Sequence, residues 1–350
     1  MRKKIVNFIA VVMLFSGFLI LAKPYLRELH LERKNDKMIK EFTKKAEQSS
    51  PTENSPTGKN ESNSDESRSN DESSSDESRN SDESNSDESR SNDEDKSNDE
   101  SNSENLSFDK LYENMQAYNK KIFEENQSGL CDAFSYTTSS FDFSAYGITD
   151  DVAGYITIEK ISVTMALYIG SNKTNMSKGA TIMNQTSMPI GGADTNCVIA
   201  AHRSRGFLAQ IEQLEPGDEI KITNLWQTLS YKVVKIIVIK PYDTDKIKII
   251  PGQDIVTLLT CHPYGKNTNR YVVYCTRNRA GESDESDNTK EESDGSRIQN
   301  ITAEELPDGI EYESSEKSIK NEDIIRICGM TLTGVFLIVY LWMFAAGRKK

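Results

Sequence analysis

Hydrophobic residues fall into three patterns along this 350-residue chain. Two are long runs without a charged side chain, residues 5–22 (IVNFIAVVMLFSGFLILA) and 327–346 (ICGMTLTGVFLIVYLWMFAA), each long enough to cross a bilayer core as a helix. The third fills the middle of the chain. Over 108–125, Leu111, Met115, Tyr118 and Ile122 recur at helical spacing and predict an amphipathic helix. From Gly154 onward the period shortens, and the runs GYITIE, ISVTMALYIG, NCVIAAH, DEIKITN, LSYKVVKIIVI, DIVTLLTC and RYVVYCTR read as strands separated by Gly, Pro, Asn and Asp turns. One short helix is predicted over 207–214. Many short strands in a segment of this size predict a closed or nearly closed barrel.

Polar positions divide the rest. Residues 61–104 repeat units such as Asn-Ser-Asp-Glu-Ser and contain no aliphatic or aromatic side chain before Leu106. No core can form there to offset the entropy of ordering, so this stretch is predicted to be a disordered acidic linker. Its carboxylates come as adjacent Asp-Glu pairs without a Gly turn, which argues against a Ca²⁺ loop. Residues 282–323 form a second acidic linker. The predicted organisation is a basic end (1–4), an anchor (5–22), a basic membrane-proximal linker (23–60), the repeat (61–104), a helix with the loop after it (105–150), a barrel (151–281), the second linker (282–323), an apolar helix (324–346) and a basic end (347–350).

Charge sharpens this picture. The formal net charge is −13, yet 61–104 alone holds 17 acidic and 4 basic side chains and 282–323 holds 15 and 4, whereas 105–281 holds 17 and 18. The foldable part is almost neutral, which excludes a basic nucleic-acid-binding domain and any nucleic-acid partner. Arg2, Lys3 and Lys4 precede the first apolar run, and Arg348, Lys349 and Lys350 follow the second. The positive-inside rule then puts both termini in the cytoplasm and the residues between the runs outside a cell membrane crossed twice. A cleaved signal peptide shares the first run's character, but the exit Leu21-Ala22-Lys23-Pro24-Tyr25 offers no small-x-small cleavage site.

The candidate chemistry lies at strand ends. Of five cysteines, Cys197 and Cys275 fall inside apolar strands and read as buried structural thiols, while Cys131 and Cys328 lie outside the strand pattern. The four predicted to face outward could form two disulfides, although their spacing follows no small secreted scaffold. Cys261 closes the strand Thr257-Leu258-Leu259-Thr260-Cys261 just before the turn His262-Pro263-Tyr264-Gly265, which places a thiol at a barrel rim. His202 ends the strand Val198-Ile199-Ala200-Ala201, and Arg270 begins the strand after the Cys261 turn. A nucleophilic thiol needs a proton-transfer partner and a donor for an oxyanion, and a His and an Arg at neighbouring strand ends can supply both. His262 should aim away from the Cys261 thiol, because adjacent strand residues point to opposite faces. No spacing of His and Cys supports a metal site, and no cofactor is expected.

These residues resemble a known family. Thr257–Cys261 matches the TLxTC box of the sortases, and the continuation through Pro263-Tyr264-Gly265, Asn267-Thr268 and Arg270 is similar to the CxPYGxNTxR extension of class C, pilin-polymerising sortases. Ala201-His202-Arg203 stands in place of the family's GHR histidine, and Gly179-Ala180 with Ser187 to Gly192 resembles the stretch before it. The resemblance spans about 108–281. It implies a mostly β fold, an eight-stranded sortase β-barrel with short helices, flanked by two transmembrane helices and the acidic linkers. It also implies Cys261 as nucleophile, His202 as acid/base and Arg270 as stabiliser of substrate or oxyanion, with Thr260, Tyr264 and Asn267 lining a substrate groove. The implied substrates are secreted pilin or surface proteins bearing an LPxTG-like signal. The acceptor would be a pilin lysine amine or, in the wall-anchoring alternative, a peptidoglycan cross-bridge. Asp132-Ala133-Phe134 stands where class C enzymes carry an Asp-Pro-Trp or Asp-Pro-Phe lid, with Ala in the Pro position; as a lid, Asp132 would pair with an active-site cation such as Arg270 and Phe134 would cover the thiol, and the alternative is an ordinary loop with one buried Phe. Asn269 and the Ala200-Ala201 pair depart from the family pattern without removing a catalytic group. A papain-like peptidase would need its Cys at a helix N-terminus, and a non-enzymatic adhesin would not need Cys261 at all.

Overall fold

The computed structural model describes residues 2–49, 96–279 and 301–346. Most of the acidic repeat, residues 282–300 of the second linker and the basic end 347–350 lie outside the described residues, as does Met1. Eight strands make up the barrel: β1 (Val152–Ile158), β2 (Val163–Ile169), β3 (Ala180–Ile182), β4 (Thr195–Ala200), β5 (Glu219–Thr223), β6 (Thr228–Ile239), β7 (Asp254–His262) and β8 (Asn269–Arg277). They close in the order β1-β2-β3-β4-β7-β8-β6-β5, with β5 returning to β1. This is the fold class expected from the sequence. Seven strands correspond to the seven apolar runs, and β3, at three residues, is too short to show a period.

Burial explains the strand patterns. β5 alternates buried and open positions because one face meets solvent, whereas β7 is buried along its whole length. Ile156, Leu167, Ile182, Ile199, Leu258 and Val273 fill the interior and are each 1% exposed or less. Gly154 sits where β1 bulges, and a Cβ there would lie 2.1 Å from the Thr223 carbonyl oxygen, so only glycine allows β5 to close on β1. The helix expected over 207–214 is reduced to a single 3₁₀ turn at Ile211–Gln213. Pro216 disfavours helical backbone at Glu215 and stops any extension.

The helices depart further from expectation. α1 (Arg2–Ser49) runs unbroken through Pro24, so the stretch expected as an anchor followed by a linker is helical as far as Ser49. Its second half carries Leu31, Met38, Phe42 and Ala46 on one face, and this stripe packs on the barrel, with Phe42 edge-on to Tyr155 at 6.3 Å. Asn35 is the polar anchor of that contact. Strand β3 pairs with β2 only from Leu167 onward, which leaves earlier β2 backbone groups without a ladder partner. The Asn35 amide fills the gap, accepting from Ala166 N at 2.6 Å and donating to Thr164 O. α2 (Lys96–Glu124) buries Leu111, Met115 and Ile122 as predicted, with Tyr118 half-buried. A short α3 (Lys173–Met176) leads into β3.

α4 (Glu316–Ala346) lies against α1, where Gly329 lets the helices approach: a Cβ there would sit 3.0 Å from the Leu21 side chain. Both helices are long and apolar enough to cross a membrane, and their outer rows, including Met13, Ile20, Ile338 and Trp342, are exposed. Between β8 and α4, residues 301–315 follow the barrel surface as a strap, although the sequence predicted linker there. Ile301 and Leu306 are buried against the core, and Ile310 N donates to Val238 O at 2.8 Å. Lys235 Nζ donates at 2.8 Å to both Leu306 O and Asp308 Oδ1. Apolar side chains at 301, 306 and 310 explain why this part of an acidic segment docks.

Candidate active site

The three strand ends singled out in the sequence come together because β4, β7 and β8 are neighbours. β4 and β7 run parallel with Ala200 beside Leu259; Ala201 N donates to Leu259 O at 3.1 Å, and Thr260 Oγ1 donates to Ala201 O at 2.7 Å. These bonds lock the backbone at the position where His202 leaves one strand and Cys261 the next. On the other side of β7, Cys261 is the direct partner of Arg270 in the antiparallel β7–β8 ladder. Thr260 and His262 point to the opposite face from Cys261. Thr260, expected in a substrate groove, is therefore fully buried and serves as a backbone lock.

The loop 130–136 covers this junction. Asp132 binds Arg270 bidentately, Oδ1 accepting from Nε at 2.6 Å and Oδ2 from Nη2 at 2.7 Å. Phe134 lies with its ring centre 4.8 Å from the Arg270 guanidinium carbon and 5.8 Å from the His202 ring, and so bridges the two groups that flank Cys261. Arg270 Nη1 also donates to the carbonyls of Asn267 (3.1 Å) and Asn269 (2.9 Å). Asn267 thus meets the guanidinium through its backbone, in a left-handed turn (φ 60°), while its side chain is exposed. Tyr264 faces α4, with its backbone N donating to Ser315 Oγ at 3.1 Å, and is not free to line a groove in this arrangement. Cys261 itself is 7% exposed.

Electrostatics keep the covered site neutral. Burial pushes the Cys261 thiol up to about 11; the Arg270 charge opposes this, and the Asp132 carboxylate reinforces it. Burial lowers the His202 imidazole, and Arg27 on α1 adds to the effect. A thiol near 11 is ionised in only about one molecule in 10⁴ at pH 7. The covered form thus holds a neutral thiol beside a neutral imidazole. Cys131, Cys197 and Cys275 are free thiols, as is the exposed Cys328, and burial raises Cys197 and Cys275 far above the ordinary range. Among the described residues no group of His, Cys, Asp and Glu could hold a metal ion.

Sequence reasoning missed what lies behind this face. Arg203 and His262, which directly follow His202 and Cys261, meet on Glu212: His262 Nδ1 lies 2.9 Å from Arg203 Nη1 and 3.2 Å from Glu212 Oε1, and Arg203 Nη2 donates to the same oxygen. Two residues further, Arg205 pairs with Glu28 of α1 at 3.6 Å and with Asp323 of α4, and its guanidinium carbon lies 4.8 Å from the Tyr25 ring centre. Their separation in sequence hides these contacts; Glu212 is 50 residues from His262 and about 100 from the strap.

Comparison with known proteins finds one family and several similar chains. Residues 156–278 match the family described as Sortase domain. Sortase A of Bacillus anthracis is 28% identical over 171 residues, covering 47% of this chain and 79% of the relative. Among solved structures, sortase C from Clostridium perfringens SM101 is 32% identical, covering 52% of this chain and 97% of that one at a TM-score of 0.43. Sortase C-1 from Streptococcus pneumoniae is 30% identical, covering 49% and 90% at a TM-score of 0.46.

Proposed function

From the premise that the chain is a cysteine transpeptidase carrying a sortase domain, we propose that Cys261 is its nucleophile, His202 its acid/base and Arg270 the stabiliser of the oxyanion. The observation that carries this reading is the three-strand junction, where Cys261 sits opposite Arg270 on β8 and beside the end of β4 that bears His202. The substrate is an LPxTG-like sorting signal of a secreted pilin or surface protein. As His202 takes the Cys261 proton, the sulfur attacks the Thr–Gly carbonyl. Arg270 holds the oxyanion, and collapse breaks the C–N bond while His202 returns the proton to the departing Gly amine. A lysine amine then attacks the thioacyl carbonyl, loses its proton through His202 and leaves as an isopeptide, restoring the thiol.

Asp132 and Phe134 act as a lid in this scheme. While Asp132 holds Nε and Nη2 of Arg270 and the Asn267 and Asn269 carbonyls hold Nη1, the guanidinium has no free fork for an oxyanion, so the loop must move before the first attack. Transfer to a pilin lysine is favoured over wall anchoring by the match to the CxPYGxNTxR pattern and by the candidate lid and second apolar helix. In the proposed topology α1 and α4 cross the cell membrane, the barrel is extracellular and both termini are cytoplasmic, as the basic ends require.

The experiment is to incubate the full chain in detergent with an LPxTG-type peptide and, in parallel, with a lysine peptide or a cross-bridge peptide as acceptor. A mass increase on Cys261 equal to the acyl fragment, absent from Cys261→Ala, is expected, with resolution faster on the lysine peptide. A Cys261→Ala chain that still transfers would refute the assignment. Preference for the cross-bridge peptide would move the acceptor to the wall.

A further inference from the structure

We infer that Glu212 is a positioning residue for the reaction, and that residues 312–315 of the strap hold it in place, so the segment leading into α4 forms part of the catalytic unit. The inference rests on the roles proposed above for His202 and Cys261. Glu212 is 4% exposed and Arg203 1%, so both charges are out of water and depend on each other, while Arg203 Nε and His262 Nε2 are buried with no hydrogen-bond partner among the described residues. The carboxylate is met on both sides. Oε1 accepts from Arg203 Nη2 and lies 3.2 Å from His262 Nδ1, while Oε2 accepts from Ser314 Oγ and from Ser315 N, each at 2.7 Å.

The two halves of this arrangement have different origins. Arg203 and His262 belong to the strand ends that carry His202 and Cys261. The two serines belong to the strap, which contributes two further contacts: the Tyr312 ring lies 5.2 Å from His262 and 5.7 Å from Tyr271, and Ser315 Oγ accepts from Tyr264 N in the turn after Cys261. Because neighbours along β7 face opposite ways, His262 lies behind Cys261, and Arg203 meets it there, while His202 faces Phe134 of the lid. Glu212 and the strap are therefore a back wall that fixes the spacing of the two reacting side chains without touching the substrate. Displacement of a reacting group by about 1 Å costs on the order of 100-fold in rate.

The test uses the full chain in detergent, with Ser314→Ala as the mild variant, Glu212→Gln as the isosteric one and Glu212→Ala as the severe one. Transpeptidation of an LPxTG-type peptide is measured for kcat and KM, together with iodoacetamide alkylation of Cys261 followed by mass spectrometry and the melting temperature of each variant. The expected result is a fall in kcat of about 3-fold for Ser314→Ala and 10- to 100-fold for Glu212→Ala, with KM within 3-fold and Glu212→Gln in between. The loss should persist at temperatures where every variant is fully folded. Unchanged kcat in folded Ser314→Ala and Glu212→Gln, or losses that track only the folded fraction, would overturn the inference while leaving the proposed function standing. A wild-type chain that forms no thioacyl intermediate on Cys261 overturns both.

Discussion

Removing the Asp132 charge should make Cys261 markedly more reactive. The perturbation is Asp132→Asn, alone and with Phe134→Ala. The Cys261 thiol stands near 11 against an ordinary value of about 8.5, a difference of about 3 kcal/mol between its two protonation states. Burial accounts for the largest part of that, and Asn leaves it in place. The substitution instead removes one charge that opposes the thiolate and leaves another that favours it without a counter-ion, since Asn can keep at most one of the two bonds to Arg270. Facing residues in an antiparallel ladder have Cα atoms about 5 Å apart. Asp132 is held on that guanidinium, and a carboxylate about 7 Å from the sulfur at an effective dielectric of about 20 disfavours a thiolate by up to about 2.4 kcal/mol, which Asn removes. Screening halves that readily, so the expected fall is one to two pKa units, and alkylation at pH 7 should quicken about 10-fold. Adding Phe134→Ala opens access and should raise the rate further. The assay is the second-order rate of iodoacetamide modification of the Cys261 peptide from pH 6 to 11, read by mass spectrometry to separate it from Cys131 and Cys328. A midpoint within 0.3 units of wild type and a rate within about 2-fold would refute both the electrostatic argument and the lid.

Other expectations test separate parts of the molecule. Arg270→Lys keeps a positive charge but not the planar fork, so kcat should fall about 100-fold while Cys261 alkylation rises, because Asp132 is held less firmly. Asn35→Ala leaves Thr164 O and Ala166 N of β2 without partners and should cost about 1–2 kcal/mol, seen as a melting temperature lower by several degrees; no change would mean that water replaces the amide. Burial pushes Glu212 up, but hydrogen bonds from His262, Ser314 and Arg203 outweigh it and bring the carboxyl to about 2. Its contribution is therefore complete above pH about 4.5 and is lost as pH falls towards 2, so unfolding measured from pH 6 to 2.5 should show an acid limb that Glu212→Gln flattens.

The sequence disclosed the barrel and the meeting of Cys261, His202 and Arg270 because both are written in local signals. Apolar runs of six to eleven residues mark the long strands, and Cys261, His202 and Arg270 each sit at the end of one. The contact of Asp132 with Arg270 was implied only by the resemblance to the class C lid. What it concealed is tertiary. The stripe Leu31, Met38, Phe42, Ala46 was present at helical spacing, but the many charges around it gave the segment the look of a linker. The strap was hidden in the same way, since Ile301, Leu306 and Ile310 are three isolated apolar residues in an acidic stretch and gain meaning only when the edge of the barrel lies beside them. Thr260 was misplaced for a simpler reason. Its neighbour carries the thiol, and on a strand that adjacency puts it on the other face.

The Arg205 clamp sets a height. Glu28 lies six residues beyond Ala22, the last apolar residue of the first run, and six residues of helix advance about 9 Å. With α1 crossing the bilayer as proposed, the salt bridge that ties both helices to the loop after His202 sits just outside the hydrocarbon core, at about the depth of the lipid headgroups. The reacting thiol then works at the edge of the membrane rather than at the end of a long stalk. A peptide presented at the bilayer surface could reach it there without the barrel leaving the membrane.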